Sequence, residues 1–77
     1  MVVYILYSES VNQYYVGITA DIKDRLNRHN QGRSKSTKKG LPWKLIETFK
    51  VSDRSEAVQL EKKIKSRGIQ RWLEGQG

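Results

Sequence analysis

The chain predicts an α+β fold: a three-stranded, largely antiparallel sheet flanked by helices in the order β-β-α-β-α-α. Two β-branched and aromatic runs, Val2–Tyr7 and Tyr14–Thr19, are separated by about six mostly polar residues and predict an antiparallel hairpin. Two later stretches begin at capping residues, carry a single apolar stripe and stop at glycine, as amphipathic helices do. Between them lies a third extended run, Trp43–Val51.

Taken in order, Val2-Val3-Tyr4-Ile5-Leu6-Tyr7 is apolar on both faces, the mark of a strand covered on both sides. Tyr4 shares a face with Val2 and Leu6. Asn12 suits the following turn. In the second strand Tyr15 and Gly17 share the face opposite Tyr14, Val16 and Ile18. The first helix starts at Thr19 or Asp21, runs to about Asn30 and stops at Gly32. On a helical wheel with Ile22 at the centre, Leu26 falls at about +40°, His29 at about −20° and Arg25 at about −60°. The face meeting the sheet therefore includes His29 and is flanked by Arg25, while Lys23, Asn27 and Asn30 look outward. Gln31–Pro42 has no apolar periodicity and is long for a connection in a small domain. Asp53-Arg54-Ser55-Glu56 opens the second helix with a capping box, Ala57, Leu60 and Ile64 form its stripe, and Gly68 ends it. Ile69, Trp72 and Leu73 form one more short helical turn.

With 77 residues and no internal repeat, residues 1–77 are expected to form one domain with a modest core. That core is drawn from Val2–Tyr7, Tyr14–Ile18, Leu45–Phe49 and the two helical stripes. The chain has no cysteine, which removes disulfides and thiolate metal sites. Nothing approaches the length of a membrane span, and no basic leader or cleavage site follows Met1, so a cytoplasmic location is expected. The formal charge is +7, and the segment Arg25–Lys50 carries eight Lys or Arg against one acid, Glu47. A cationic segment of this kind favours a polyanion such as nucleic acid; the plainer alternative is a solubilising surface.

Val3-Tyr4-Ile5, Tyr15-Val16-Gly17, Arg25, His29 and Glu61, in that order, resemble the pattern of the GIY-YIG nuclease superfamily. The likeness is greatest to its small single-domain bacterial members, whose sequences show a similar run to Tyr15-Val16-Gly17-Ile18-Thr19, Arg25-Leu26, His29-Asn30 and Gly32. It covers roughly Val2 to Ser66. The chain departs from the pattern in lacking the first motif's glycine, in having Ile18 where the family's bacterial excision-repair nuclease has lysine, and in having no asparagine near Leu73, where larger members carry one.

The resemblance implies metal-assisted hydrolysis of phosphodiester bonds in DNA, more than RNA, in a structure-selective or weakly selective way. Glu61 would be the ligand of one divalent ion, Mg²⁺ with Mn²⁺ as the alternative. A single carboxylate completed by phosphate and water suits an ion that keeps its hydration shell. Arg25 would bind the scissile phosphate. Tyr4 and Tyr15 would orient or deprotonate the attacking water, and His29 is the third candidate base; the choice stays open, with a tyrosine slightly favoured. Gly17, Arg28, Arg33, Lys35, Lys38 and Lys39 form the expected nucleic-acid-binding set, with a homodimer or a partner protein able to extend the footprint.

Each residue also has a plainer explanation. Tyr4 and Tyr15 could be core aromatics, Arg25 a surface cation and His29 a hydrogen-bonded structural residue. Glu61 stands about 40° from Ala57 and about 60° from Ile64, where an i,i+4 pair with Lys65 would account for it. A non-catalytic nucleic-acid-binding module on the same fold is the alternative function.

Overall fold

A computed structural model describes residues 1–32 and 38–75 of the protein. Strand β1, Val2–Ser8, lies in the middle of a three-stranded sheet of order β2-β1-β3, and both pairings are antiparallel. Its central position explains the two-sided apolar character: Val3, Ile5 and Leu6 have no exposed surface and Tyr4 is 1 % exposed. Strand β2, Gln13–Thr19, follows a turn in which Asn12 adopts a positive φ of 55°, a conformation asparagine tolerates better than most residues. Strand β3, Trp43–Lys50, forms the other edge.

Register decides which residues meet. Tyr4 lies opposite Gly17, and Leu6 opposite Tyr15. Directly opposed residues project to the same side of the sheet, so these four share one face. Helix α1, Ile22–Asn30, covers that face: Tyr4, Leu6 and Trp43 form its buried cluster, with Tyr15, Ile22, Leu26 and Leu41 packed around them. Helix α2, Arg54–Arg67, and helix α3, Ile69–Glu74, cover the other face, where Val3, Ile5 and Val16 meet Ala57 and Ile64. Two small cores thus share β1. Truncating fully buried Ile5 or Leu6 to alanine would cost about 2–5 kcal/mol, a large part of what so short a chain has.

The helix ends follow the sequence signals. Asp21 caps α1, its carboxylate accepting from the Asp24 amide at 3.1 Å, and Asp53 caps α2 by accepting from the Glu56 amide at 2.8 Å. Gly68 ends α2 with a φ of 94°, a value that strains any side-chain-bearing residue.

Asn30 is exposed, as expected of an outward residue of α1, and it also has a structural role. Its amide accepts from the Trp43 N–H at 2.7 Å and donates to the Trp43 carbonyl at 3.1 Å, tying the end of α1 to the start of β3. One expectation is corrected: Leu45–Phe49 does not supply core along its length. Pairing of β1 with β3 shifts register between Ile5 and Leu6, and beyond buried Trp43 the edge strand leaves Leu45 and Ile46 41 % and 44 % exposed. Within that run Phe49 is the residue that packs inward.

Candidate active site

The site is built on the α1 face of the sheet. Tyr4 projects from the central strand towards α1, and the phenol oxygen lies 2.9 Å from Nε2 of His29. His29 reaches it because it stands seven residues after Ile22, two turns along the helix and on the same side. It is 2 % exposed. Tyr15, on β2, closes the group: its ring centroid lies 5.1 Å from His29, 6.3 Å from Tyr4 and 6.2 Å from Trp43.

Gly17 explains how Tyr4 fits. A methyl group placed there would lie 2.5 Å from Tyr4 Oη and 2.6 Å from Cζ, well inside van der Waals contact. The ring occupies the volume a β-carbon would need. Gly17 is buried beneath it, so the second tripeptide serves the placement of the first tyrosine.

Arg25 is one turn before His29 and is half-buried. Its Nε is shielded from solvent and has no hydrogen-bond partner among the described residues. Buried N–H groups are normally paired, and Trp72 Nε1 is the other buried side-chain donor without a partner among the described residues. Its charge is felt by both Tyr4 and His29. Glu61 comes from α2, the helix on the opposite face, and lies within electrostatic reach of Tyr4. Its carboxylate, 22 % exposed, is 3.8 Å from the ammonium of Lys65, the i,i+4 neighbour. That separation is long for a hydrogen-bonded pair, and the carboxylate remains open to a second partner.

The electrostatics set protonation at neutral pH. Burial, then the proximity of Tyr15, push the Tyr4 phenol well above its ordinary range, while Arg25 pulls the other way. Burial, then the Arg25 charge, depress the His29 imidazole below its ordinary 6.5. Tyr4 is therefore protonated and His29 neutral. With the imidazole proton on Nδ1, the phenol O–H donates to Nε2, and the pair holds one movable proton between two neutral groups.

The remaining predicted residues are distributed around this cluster. Arg28 is exposed on α1 and its Nε lies 3.2 Å from the Asp24 carboxylate. Lys38 and Lys39 are exposed on a short turn, α-like in direction but tighter, spanning Lys38–Gly40. Arg33 and Lys35 lie outside the described residues. Sequence reasoning missed Asn30 and Trp43 as supports of the cluster: Trp43 packs beside Tyr15, and buried Gly40 leaves room for its indole. An asparagine in the last turn of a helix was a signal, though one that fits capping equally well.

Among the described residues, no three or more His, Cys, Asp or Glu side chains gather as a metal site. Glu61 offers a single oxygen donor group with open coordination, a set that fits a hard cation completed by phosphate and water.

The family description "GIY-YIG catalytic domain" matches residues 1–70. The chain belongs to the GIY-YIG family. It is also similar to UPF0213 proteins: 39 % identical over 54 residues to one from Streptococcus agalactiae, 44 % over 57 residues to one from Listeria innocua, and 40 % over 53 residues to one from Streptococcus pneumoniae. The matches cover 69 %, 73 % and 68 % of this chain and 61 %, 63 % and 54 % of those relatives, less than two-thirds of their length. No solved structure gives a significant match. Among the described residues, no helix of this GIY-YIG domain is long and apolar enough to cross a membrane.

Proposed function

We propose that this GIY-YIG domain is a Mg²⁺-dependent endonuclease that hydrolyses phosphodiester bonds in DNA, with structure-selective or weakly selective recognition, in the cytoplasm of a bacterial cell. The observation that carries the reading is the 2.9 Å contact between buried Tyr4 and His29 beside an Arg25 guanidinium whose Nε has no partner among the described residues. An unpaired buried N–H costs about 1–3 kcal/mol, and a phosphate oxygen would satisfy this one.

Arg25 meets the scissile phosphate and stabilises charge as the attacking oxygen adds. Tyr4, with Tyr15 across from it, orients the water. As Tyr4 takes a proton from that water it passes its own to His29 Nε2, so the phenol ends neutral and the imidazole charged. In this reading His29 is the final proton acceptor. The phenol, raised by burial, is a poor base by itself, whereas an imidazole depressed below 6.5 is ready to accept at neutral pH. Glu61 would hold the cation; when bound, Mg²⁺ supplies positive charge against the phosphate and makes water easier to deprotonate. Gly17 acts by seating Tyr4. Arg28, Lys38 and Lys39, with Arg33 and Lys35, contact the flanking backbone; an exposed pair such as Arg28–Asp24 is weak enough to exchange for phosphate.

The test is cleavage of nicked, flapped and branched DNA by the wild-type chain and Glu61→Gln in Mg²⁺, with Mn²⁺ as a substitute. Cleavage by the wild type and its loss in the variant support the reading; equal inactivity across all substrates refutes it. The proximity of Lys65 to Glu61 favours a second reading, a module that grips nucleic acid without cutting. That reading predicts metal-independent binding that weakens steeply with salt, and salt-insensitive binding contradicts it.

A further inference from the structure

The net charge of the chain conceals a second basic region. From Lys62 to Arg71 there are five Lys or Arg and no acid; the acids that balance them in the total lie elsewhere in the sequence. Four residues of α2, namely Lys62, Lys63, Ser66 and Arg67, join Trp72 of α3 around a hollow of about 500 Å³. Lys62, Lys63 and Arg67 are exposed and take part in no ion pair among the described residues. Trp72 is partly exposed, and its ring packs edge-on against Phe49 at 6.4 Å.

Helix geometry separates this hollow from the catalytic cluster. Relative to buried Ile64, Glu61 and Lys65 lie at about +60° and +100°, whereas Arg67 and Lys63 lie at about −60° and −100°. Glu61 thus flanks one side of the buried line of α2 and the cationic hollow the other, with a helix about 10 Å thick between them. A group bound in the hollow is not the phosphate being cut.

Three cations with no ion pair among the described residues, beside an indole packed on Phe49, are the ingredients of a strand-binding surface. The cations follow the backbone, and an aromatic face accepts an unstacked base of any kind. We propose that the Lys62–Lys63–Ser66–Arg67–Trp72 hollow binds an unpaired nucleic-acid strand, other than the strand being cut, with one base stacked on Trp72. The identity of that strand as an arm of the substrate rests on the nuclease reading; the binding itself does not. An anchor of this kind would let so small a domain favour branched over plain duplex DNA.

Binding of a fluorescein-labelled oligodeoxythymidylate, followed by anisotropy in EDTA, tests the surface without any cleavage. Lys63→Glu/Arg67→Glu is expected to weaken binding at least about tenfold and to reduce the slope of log K against log salt by about 1.4, two cations at about 0.7 each. A change of less than about twofold overturns the proposal. The second readout is Trp72 itself, the sole tryptophan in Trp43→Phe because the chain has two. Its emission is expected to be quenched by the oligonucleotide and not by heparin, a polyanion without bases. Equal quenching by both overturns the stacked base, and no quenching by either removes Trp72 from the site. If oligonucleotide binding behaves as expected while no DNA is cut, the nuclease reading fails and this surface stands.

Discussion

Replacing Gly17 with alanine should disable the site while adding a single methyl group. The new β-carbon would lie 2.5 Å from Tyr4 Oη, 2.6 Å from Cζ and 3.0 Å from Cε1, whereas ordinary contact begins near 3.4 Å. The Tyr4 ring must therefore move by about 1 Å, yet it is 1 % exposed and has no free direction. Gly17 does not have a positive φ, so alanine meets no backbone penalty and the effect is steric. Overpacking costs about 1–3 kcal/mol, and stretching the 2.9 Å contact to His29 adds about 1 kcal/mol. Urea unfolding should show a loss of about 2–4 kcal/mol. Where the variant still folds, a displacement of this size lowers turnover about a hundredfold. Tyr4→Phe in the Gly17→Ala background removes the closest clash but keeps the one at Cζ, so it should restore part of the stability and none of the activity. A Gly17→Ala protein with wild-type stability and turnover would show that Tyr4 is not seated as described.

Other expectations are independent of that contact. Asn30→Ala deletes both hydrogen bonds to the Trp43 backbone and should cost about 1–3 kcal/mol in urea unfolding, with His29 less well held; Asn30→Asp should recover the bond from the Trp43 N–H alone. The depressed His29 pKa means that the folded state binds fewer protons than the unfolded state between the folded value and 6.5. Stability should therefore fall as pH drops from about 6.5 through the folded pKa, a slope that unfolding titrations of His29→Gln should lack. Cleavage should rise with pH through that same depressed value and then level off; a rise continuing towards pH 10 would assign the base to a free tyrosine instead.

Much of this architecture was legible because local chemistry and tertiary structure agree. Asp21, Asp53 and Gly68 act where their side chains or backbone freedom predict, and the two-sided apolar run of β1 marks the middle strand. His29 on the buried side of α1 could be read from the wheel alone. What was hidden depends on neighbours distant in sequence. The overlap of Gly17 with Tyr4 arises from strand register, which an isolated tripeptide does not encode. The two-ended grip of Asn30 on Trp43 spans the basic connection, and a wheel, which rightly turns Asn30 towards solvent, carries no sign of it. Leu45 and Ile46 look like core by composition and are exposed because their strand is at an edge. The cations of α2 were hidden by a different cause: summed charge drew attention to Arg25–Lys50, while the acids cancelling Lys62–Arg71 lie elsewhere in the chain.

The most direct test of the account is a double-mutant cycle on single-turnover cleavage of branched DNA in Mg²⁺, using Tyr4→Phe, His29→Gln and the pair. If Tyr4 and His29 move one proton as a unit, each single change should lower the rate about a hundredfold or more, and the double variant should be no slower than the worse single. Rates whose losses multiply, or a wild-type chain that leaves every substrate intact, would contradict it.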